Sequence, residues 1–456
     1  FVLQQLKRYD EALASYEKAL SIKPDHADAL YNRGNALREL KRYNEALASF
    51  DKVLSIEPNF SEALNNRGLA LQQLKRYDEA LASFDKALSI NPNFAEALNN
   101  RGLVLQQLKR YDEALASFDR ALTNKPEIAE ALGNRGLVLQ ELGRLHEAEE
   151  SYRRALALKP QYADVLNNLG NALMGLGRLQ EADKSYRRAL ALMPNFSDAH
   201  SNLIFAMDLA EGHDIKEQQA ERRRWYAQHG RKYVAEIVPH ENSPNLDRKL
   251  RIGYVSADFR RHSAYYTFSP VIYAHDRLAF EVYCYSGVGR EDDETVRLRE
   301  AVHAWRSIVG IPDEALAEQI RHDQVDVLVD LSGHSAGNRL PVFARKPAPV
   351  QVTAWGYATG TGLETIDYFF ADPVLVPNND RALFAEKVLD LPCVICYEAP
   401  AYAPEVHPLP ALDGKPFTFG CINRIEKISD KAIGLWGQIM AALPESQLLL
   451  KDHKLG

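Results

Sequence analysis

Six prolines, Pro24, Pro58, Pro92, Pro126, Pro160 and Pro194, stand 34 residues apart without a slip. A fixed period of this length means stacked copies of one supersecondary unit, each burying its apolar face against the next. Within each copy Asn-Arg-Gly-Leu-x-Leu recurs in the first half, and Tyr-x-Glu-Ala-x-x-Ser-Phe/Tyr-x-x-Ala-Leu in the second. Both halves space their apolar residues as helices do, and a short Lys-Arg-Tyr or Gly-Arg-Leu segment separates them, so each copy is a helix hairpin. Small residues recur where the two helices must approach: Gly34, Gly68, Gly102, Gly136 and Gly170 on the first, Ala46, Ala80, Ala114, Ala148 and Ala182 on the second. Proline closes each copy because it cannot continue a helix interior.

The period is the tetratricopeptide length, and it predicts an α solenoid over residues 1–212. The chain opens at Phe1 inside a repeat, with neither a starting methionine nor a polar capping helix, and this leads to the expectation of a truncated N-terminus. Asparagine also recurs at the same spacing, at Asn32, Asn66, Asn100, Asn134, Asn168 and Asn202. It is a mediocre helix former, costing about half a kcal/mol against alanine. Near-identical copies inherit neutral residues, but the later units have diverged elsewhere (Leu169, Glu149, Asp183) and keep it. A side-chain amide both donates and accepts, which suits it to gripping polypeptide backbone of any sequence.

Residues 213–249 form a linker, with a strongly charged helix expected over 211–238. Its run Glu221-Arg222-Arg223-Arg224 reads as a solvated face. Pro239 to Asp247 is a loop and the domain boundary.

From Leu250 the pattern becomes strands alternating with helices. Strands are expected at 251–256, 280–286, 325–331, 350–355 and 387–391, and helices at 263–275, 293–305 and 313–322. Near-continuous apolar strands such as VDVLVDL predict a parallel, doubly wound sheet over 250–405. In such sheets ligands sit at the carboxyl ends of strands, where Asp258 and His262 fall after the first one. That first turn, SADFRRHS, lacks G-x-G-x-x-G, so no dinucleotide cofactor is expected. Cys393 and Cys396 have a C-x-x-C spacing in an apolar segment without a second pair, and read as buried strand thiols. Ala401 to Pro416 is a second, proline-dense linker; a fresh strand (FTFGCIN) and a helix from Asp430 then open a second lobe over 406–456 that stops far short of a domain.

The net charge of −7 gives no reason to expect a nucleic-acid partner, and no apolar run approaches a membrane span. With only four cysteines and no signal peptide, a cytoplasmic setting is expected.

LRIGYVSADFRRH, VDLSGHSAGNRL, APVQVTAWGYATGTG, IDYFFADP and FGCINRIEKISD, in this order behind the repeats, resemble the O-GlcNAc transferase family with its bacterial and SPINDLY-type branches. The resemblance implies a two-lobed GT-B glycosyltransferase with a Rossmann-like N-terminal lobe, of which this sequence holds the first lobe and the start of the second. It implies transfer of N-acetylglucosamine from UDP-GlcNAc to serine or threonine of proteins held along the repeats by an asparagine ladder, without metal or cofactor. Asp258 and His262 match the strand-end acid and histidine, Lys427 the lysine that neutralises the donor diphosphate, and Arg424 a donor-side residue that is glutamine in animal enzymes. His334 and the glycines Gly356, Gly360 and Gly362 are expected to face or shape the donor cleft. Ser263-Ala264 and Ala358-Thr359 depart from the animal Pro-Thr and Pro-Gly. GDP-fucose or another sugar nucleotide as donor, a catalytically idle scaffold, and self-association through the repeats stay open, and the 456 residues alone are expected to be inactive for want of a complete second lobe.

Overall fold

A computed structural model describes residues 3, 6–245, 247–395, 397, 403, 405, 407, 408, 412, 414–423 and 428–451. Packing divides the chain into two compact units, Phe1–Leu176 and Gly177–Gly456. The first holds α1 (Tyr9–Ile22), α2 (Ala27–Glu39), α3 (Tyr43–Ile56), α4 (Ser61–Gln73), α5 (Tyr77–Ile90), α6 (Ala95–Gln107), α7 (Tyr111–Asn124), α8 (Ala129–Glu141), α9 (Leu145–Leu158) and α10 (Ala163–Gly175).

The recurrent glycine is explained by what faces it. A Cβ on Gly34, Gly68 or Gly102 would lie 2.6 Å from the ring of Phe50, Phe84 or Phe118, each fully buried on the second helix of the same repeat. Arginine then ties repeats to one another. Arg67, Arg101 and Arg135 donate to Ser83, Ser117 and Ser151 of their own repeat, and pair at 2.6, 2.7 and 2.6 Å with Asp51, Asp85 and Asp119 of the preceding one. Each hairpin turn places one residue in the left-handed region: Lys41, Lys75 and Lys109 at φ 58–59°, and glycine at 143 and 177.

The second unit begins with α11 (Leu179–Leu192), the second helix of the copy that α10 opens, followed by α12 (Ser197–Leu209), the first helix of the next, so the boundary between the units falls inside a repeat. The single charged helix expected after it is three segments: α13 (Ile215–Trp225), a π-turn at Tyr226–Gly230 and a 3-10 turn at Arg231–Glu236. Asp214 starts α13 by accepting from the backbone N–H of Glu217. The expected solvated face is also corrected. Glu221 is 5% exposed and Arg222 0%, on the face that α13 turns to the core, whereas Arg223 and Arg224 are exposed as expected.

A seven-stranded parallel sheet follows in the order β3-β2-β1-β4-β5-β6-β7. Its strands are β1 (Leu250–Ser256), β2 (Phe280–Ser286), β3 (Ala304–Ser307), β4 (Val327–Asp330), β5 (Val350–Thr353), β6 (Tyr368–Ala371) and β7 (Lys387–Asp390). The helix expected to reach Trp305 ends at Ala301, and β3 takes the remainder; β6 was not expected as a strand. Side chains alternate as the pleat requires. Tyr283 and Tyr285 enter a core with Trp225, Leu316 and Phe343, while Val282 and Cys284 enter the opposite one with Phe259, Phe268 and Leu298. Thus α13 supplies core to one face of the sheet through Trp225. Beyond it, β8 (Thr418–Ile422) and β9 (Gln447–Lys451) pair in parallel around the crossover helix at Asp430–Ala442. Cys393 is exposed beyond the end of β7, contrary to the buried strand thiol expected, and Cys396 lies outside the described residues. No helix among the described residues is long and apolar enough to cross a membrane.

Candidate active site

The sheet changes direction between β1 and β4, since β2 and β3 extend it one way and β5 to β7 the other. Such a switch point opens a crevice at the carboxyl ends of the two strands. Asp258 and His262 lie in the loop leaving β1. Ser256 Oγ accepts from the Asp258 backbone N–H, fixing the first turn, and Asp292 accepts from that of Arg261 while capping the helix at Asp293–Ala301. His262 Nδ1 lies 3.7 Å from Asp258 Oδ1, and Arg260 Nη2 4.0 Å from the same oxygen. Both separations are too long for hydrogen bonds. The backbone N–H of Ala264 donates to His262 Nδ1 at 3.3 Å, so the neutral ring carries its hydrogen on Nε2. The carboxylate is 15% exposed and the imidazole 40%. The carboxylate, reachable from solvent, can take a proton from a bound hydroxyl, and the imidazole can do so at Nδ1 once the contact with Ala264 opens.

Asp330 ends β4 at the same edge. It is buried and accepts from the backbone N–H of Ser332 and Gly333 and from the Thr353 hydroxyl at 3.1, 2.9 and 2.9 Å. Burial pushes its carboxyl up to about 6 against the pull of these donors. Its task is to shape the loop after β4.

His334, in that loop, was expected at the donor. It is instead fully buried, with Nε2 at 2.8 Å from Thr361 O, Nδ1 at 3.3 Å from Ser201 Oγ, and its ring edge-on to Trp225. Both nitrogens are occupied, so it joins the β4 loop to α12 and α13 and offers no atom to a ligand. Burial, then the charge of Arg222, hold it well below the usual imidazole range. Nearby His200 bridges His229 Nε2 and Glu221 Oε1 at 3.0 and 2.9 Å, and burial, with His200 and Lys232, holds His229 down at about 4.

The glycine loop after β5 is likewise spent on packing. A Cβ on Gly356 would lie 1.8 Å from Leu331 O, and one on Gly362, at φ +77°, 2.6 Å from Arg222 Cβ. Gly360 is buried and its carbonyl accepts from Arg222 Nε at 3.2 Å. Gly356 and Gly360 therefore support the edge through close backbone approach.

Arg222 is the centre the sequence reading missed. Its Nη2 reaches both oxygens of Asp208 at 2.6 Å and Thr359 Oγ1 at 2.6 Å, and the Tyr357 hydroxyl donates to the same carboxylate at 2.5 Å. Glu386, just before β7, closes the loop, accepting from Thr361 N–H and hydroxyl and from Gly362 N–H. The available signal was Trp225, three residues on and so on the same helix face as Arg222.

The ladder asparagines are partly exposed, and three of them, Asn66, Asn100 and Asn134, tie repeats together. Asn66 donates to Asn35 Oδ1 and Tyr31 hydroxyl, Asn100 to Asn65 Oδ1 and Asn134 to Asn99 Oδ1, at 2.8, 3.0, 2.9 and 3.3 Å. Asn32 donates to Asp28 O in its own helix, and Asn168 accepts from Asn167. Asn202 is on α12 in the second unit. An amide carries two donors and two acceptor lone pairs. The single bonds of Asn100 and Asn134 leave capacity for a backbone, whereas Asn66 also accepts from Arg38 and Asn65, so all four of its positions are taken and it must release a partner to hold one. Lys427 and Arg424 lie outside the described residues. Among the described residues no three His, Cys, Asp or Glu side chains are grouped to hold a metal.

A profile of Glycosyl transferase family 41 matches residues 228–395, and Tetratricopeptide repeat profiles match 27–60, 61–94, 93–161 and 127–195. A solved mutant of the O-GlcNAc transferase of Thermobaculum terrenum is 36% identical, with a TM-score of 0.71 over 78% of this chain and 68% of its own. A Petunia hybrida protein named as a probable UDP-N-acetylglucosamine–peptide N-acetylglucosaminyltransferase SPINDLY is 38% identical over 54% of this chain, and the Caenorhabditis elegans UDP-N-acetylglucosamine–peptide N-acetylglucosaminyltransferase 34% over 32%. The chain spans 27% and 13% of those two relatives. A tetratricopeptide solenoid leading into a doubly wound α/β lobe of glycosyltransferase type is the class that fold and strand edge define. The chain belongs to glycosyl transferase family 41.

Proposed function

We propose that this chain serves protein O-linked N-acetylglucosaminyl transfer, with UDP-GlcNAc as donor and serine or threonine of a repeat-bound polypeptide as acceptor. The observation that carries the reading is the placement of Asp258 beside His262 at the switch point of a family 41 sheet. The acceptor oxygen attacks the anomeric carbon, the bond from that carbon to the diphosphate oxygen breaks, and UDP departs with the electron pair. The hydroxyl proton passes to Asp258 or His262. Charge grows on the leaving diphosphate, and Lys427 is our candidate to meet it, a task a cation performs without a metal. The partly exposed asparagines, Asn32 to Asn202, are our candidates for holding acceptor backbone.

The test is a donor competition. The protein, as its own organism makes it, is incubated with a serine- and threonine-rich peptide pool and either UDP-GlcNAc or GDP-fucose, and the products are read by mass spectrometry. N-acetylhexosamine on hydroxyl side chains supports the reading. Deoxyhexose alone moves the donor to the fucosyl branch, and peptide binding without modification points to a scaffold.

A further inference from the structure

Helix α12 carries two kinds of residue. Asn202, the last ladder asparagine, is partly exposed on it, whereas His200 and Ser201 are buried and Asp208 nearly so. The buried residues reach two different loops at the carboxyl edge of the sheet. Ser201 meets His334 in the loop after β4. Asp208 meets Tyr357 and Thr359 in the loop after β5, with Arg222 completing the junction through Gly360 O. A fully buried ion pair is a weak source of stability, since replacing such pairs by well-packed apolar residues is often neutral or better. What the pair does supply is a fixed geometry, because its partners allow one arrangement of the helix against the loop.

We infer that Asp208, Arg222, Tyr357 and Thr359 are positioning residues that lock the 356–362 loop to α12, so that one rigid helix sets acceptor register and site geometry together. The inference rests on the transferase reading above. A polypeptide held at Asn202 is then fixed relative to the strand edge by the same helix that holds the loop. Loosening the junction leaves the peptide bound but the edge misaligned, and misplacement on the order of 1 Å costs roughly ten- to a hundredfold in rate.

Three mild variants test this in the intact protein. Thr359→Val and Tyr357→Phe each remove one hydroxyl from Asp208 at nearly constant volume, and Thr359→Ser keeps the hydroxyl. Backbone hydrogen exchange, transfer rate and peptide affinity are measured on each. The expected result is faster exchange confined to residues 356–362 and kcat lowered about tenfold or more with peptide Kd unchanged, for Thr359→Val and Tyr357→Phe, with Thr359→Ser like the parent. Unchanged exchange in that loop, a fall in peptide affinity matching the fall in rate, or a Thr359→Ser protein as impaired as Thr359→Val each overturns it. A parent protein that transfers no sugar overturns the functional reading instead, and is seen before any variant is compared.

Discussion

The guanidinium of Arg222 lies 2.6 Å from both carboxylate oxygens of Asp208 and is wholly shielded from water, although it sits in the charged run Glu221 to Arg224. Removing one member of a buried pair strands the other. Arg222→Met is expected to destabilise the second unit by about 3–5 kcal/mol. Urea unfolding checks this; a change within roughly 0.5 kcal/mol is what an exposed arginine would give and would place Arg222 on a solvated face.

Gly68 faces Phe84 as closely as packing permits. On propensity alone Gly68→Ala should strengthen the helix by about 1 kcal/mol. The methyl group would enter the phenyl ring, however, and overpacking of this kind costs typically 1–3 kcal/mol. The net change is expected to be destabilising, and Gly68→Ala combined with Phe84→Leu should recover part of the loss. Equilibrium unfolding of both variants decides between propensity and packing.

Lys75 holds a left-handed conformation that later repeats give to glycine. A side chain there costs about 1–2 kcal/mol, and glycine's extra freedom in the unfolded chain returns about 0.5–1 of it. Lys75→Gly should therefore stabilise the first unit by a few tenths to 1 kcal/mol, visible as a higher denaturant midpoint at unchanged slope.

Asp330 makes an unusual contribution to pH dependence. Unfolded it titrates near 3.9, and folded at about 6, so as pH falls the native state takes up its proton first. By linkage this group makes the protein more stable as pH drops through 6 toward 4, the reverse of a paired carboxylate; the penalty is fully present above pH 6. Two units correspond to on the order of 3 kcal/mol. The stability difference between parent and Asp330→Asn, measured from pH 4 to 7, should slope accordingly. A flat difference would show a carboxyl with an ordinary titration.

Legibility followed the range of the forces involved. The repeats were legible because each copy solves the same packing problem: proline, glycine and aromatic fall at fixed offsets. The strand 280–286 was legible as an apolar run bounded by polar residues, and Asp258 and His262 as polar residues after another. The first half of β3 was read as helix and its second half was not assigned, because Ala304–Ser307 is short and half exposed and its identity comes from pairing with β2. Arg222, Asp208 and Glu386 were illegible for a related reason. Their partners lie 14 to 151 residues away, and local composition cannot tell a guanidinium that meets water from one that meets a distant carboxylate. His334 was placed in the right loop, but its orientation depends on Ser201 and Thr361, far off in sequence.

The most direct measurement is the pH–rate profile of sugar transfer from UDP-GlcNAc to peptide by the parent, Asp258→Asn and His262→Ala proteins, with peptide affinity recorded alongside. A proton acceptor at the strand edge contributes about a hundredfold or more. The account predicts that at least one of the two substitutions lowers kcat by that order and flattens the acid limb of the profile, with peptide binding unaltered. Parent-like rates and profiles in both variants would contradict it and move the site away from the end of β1.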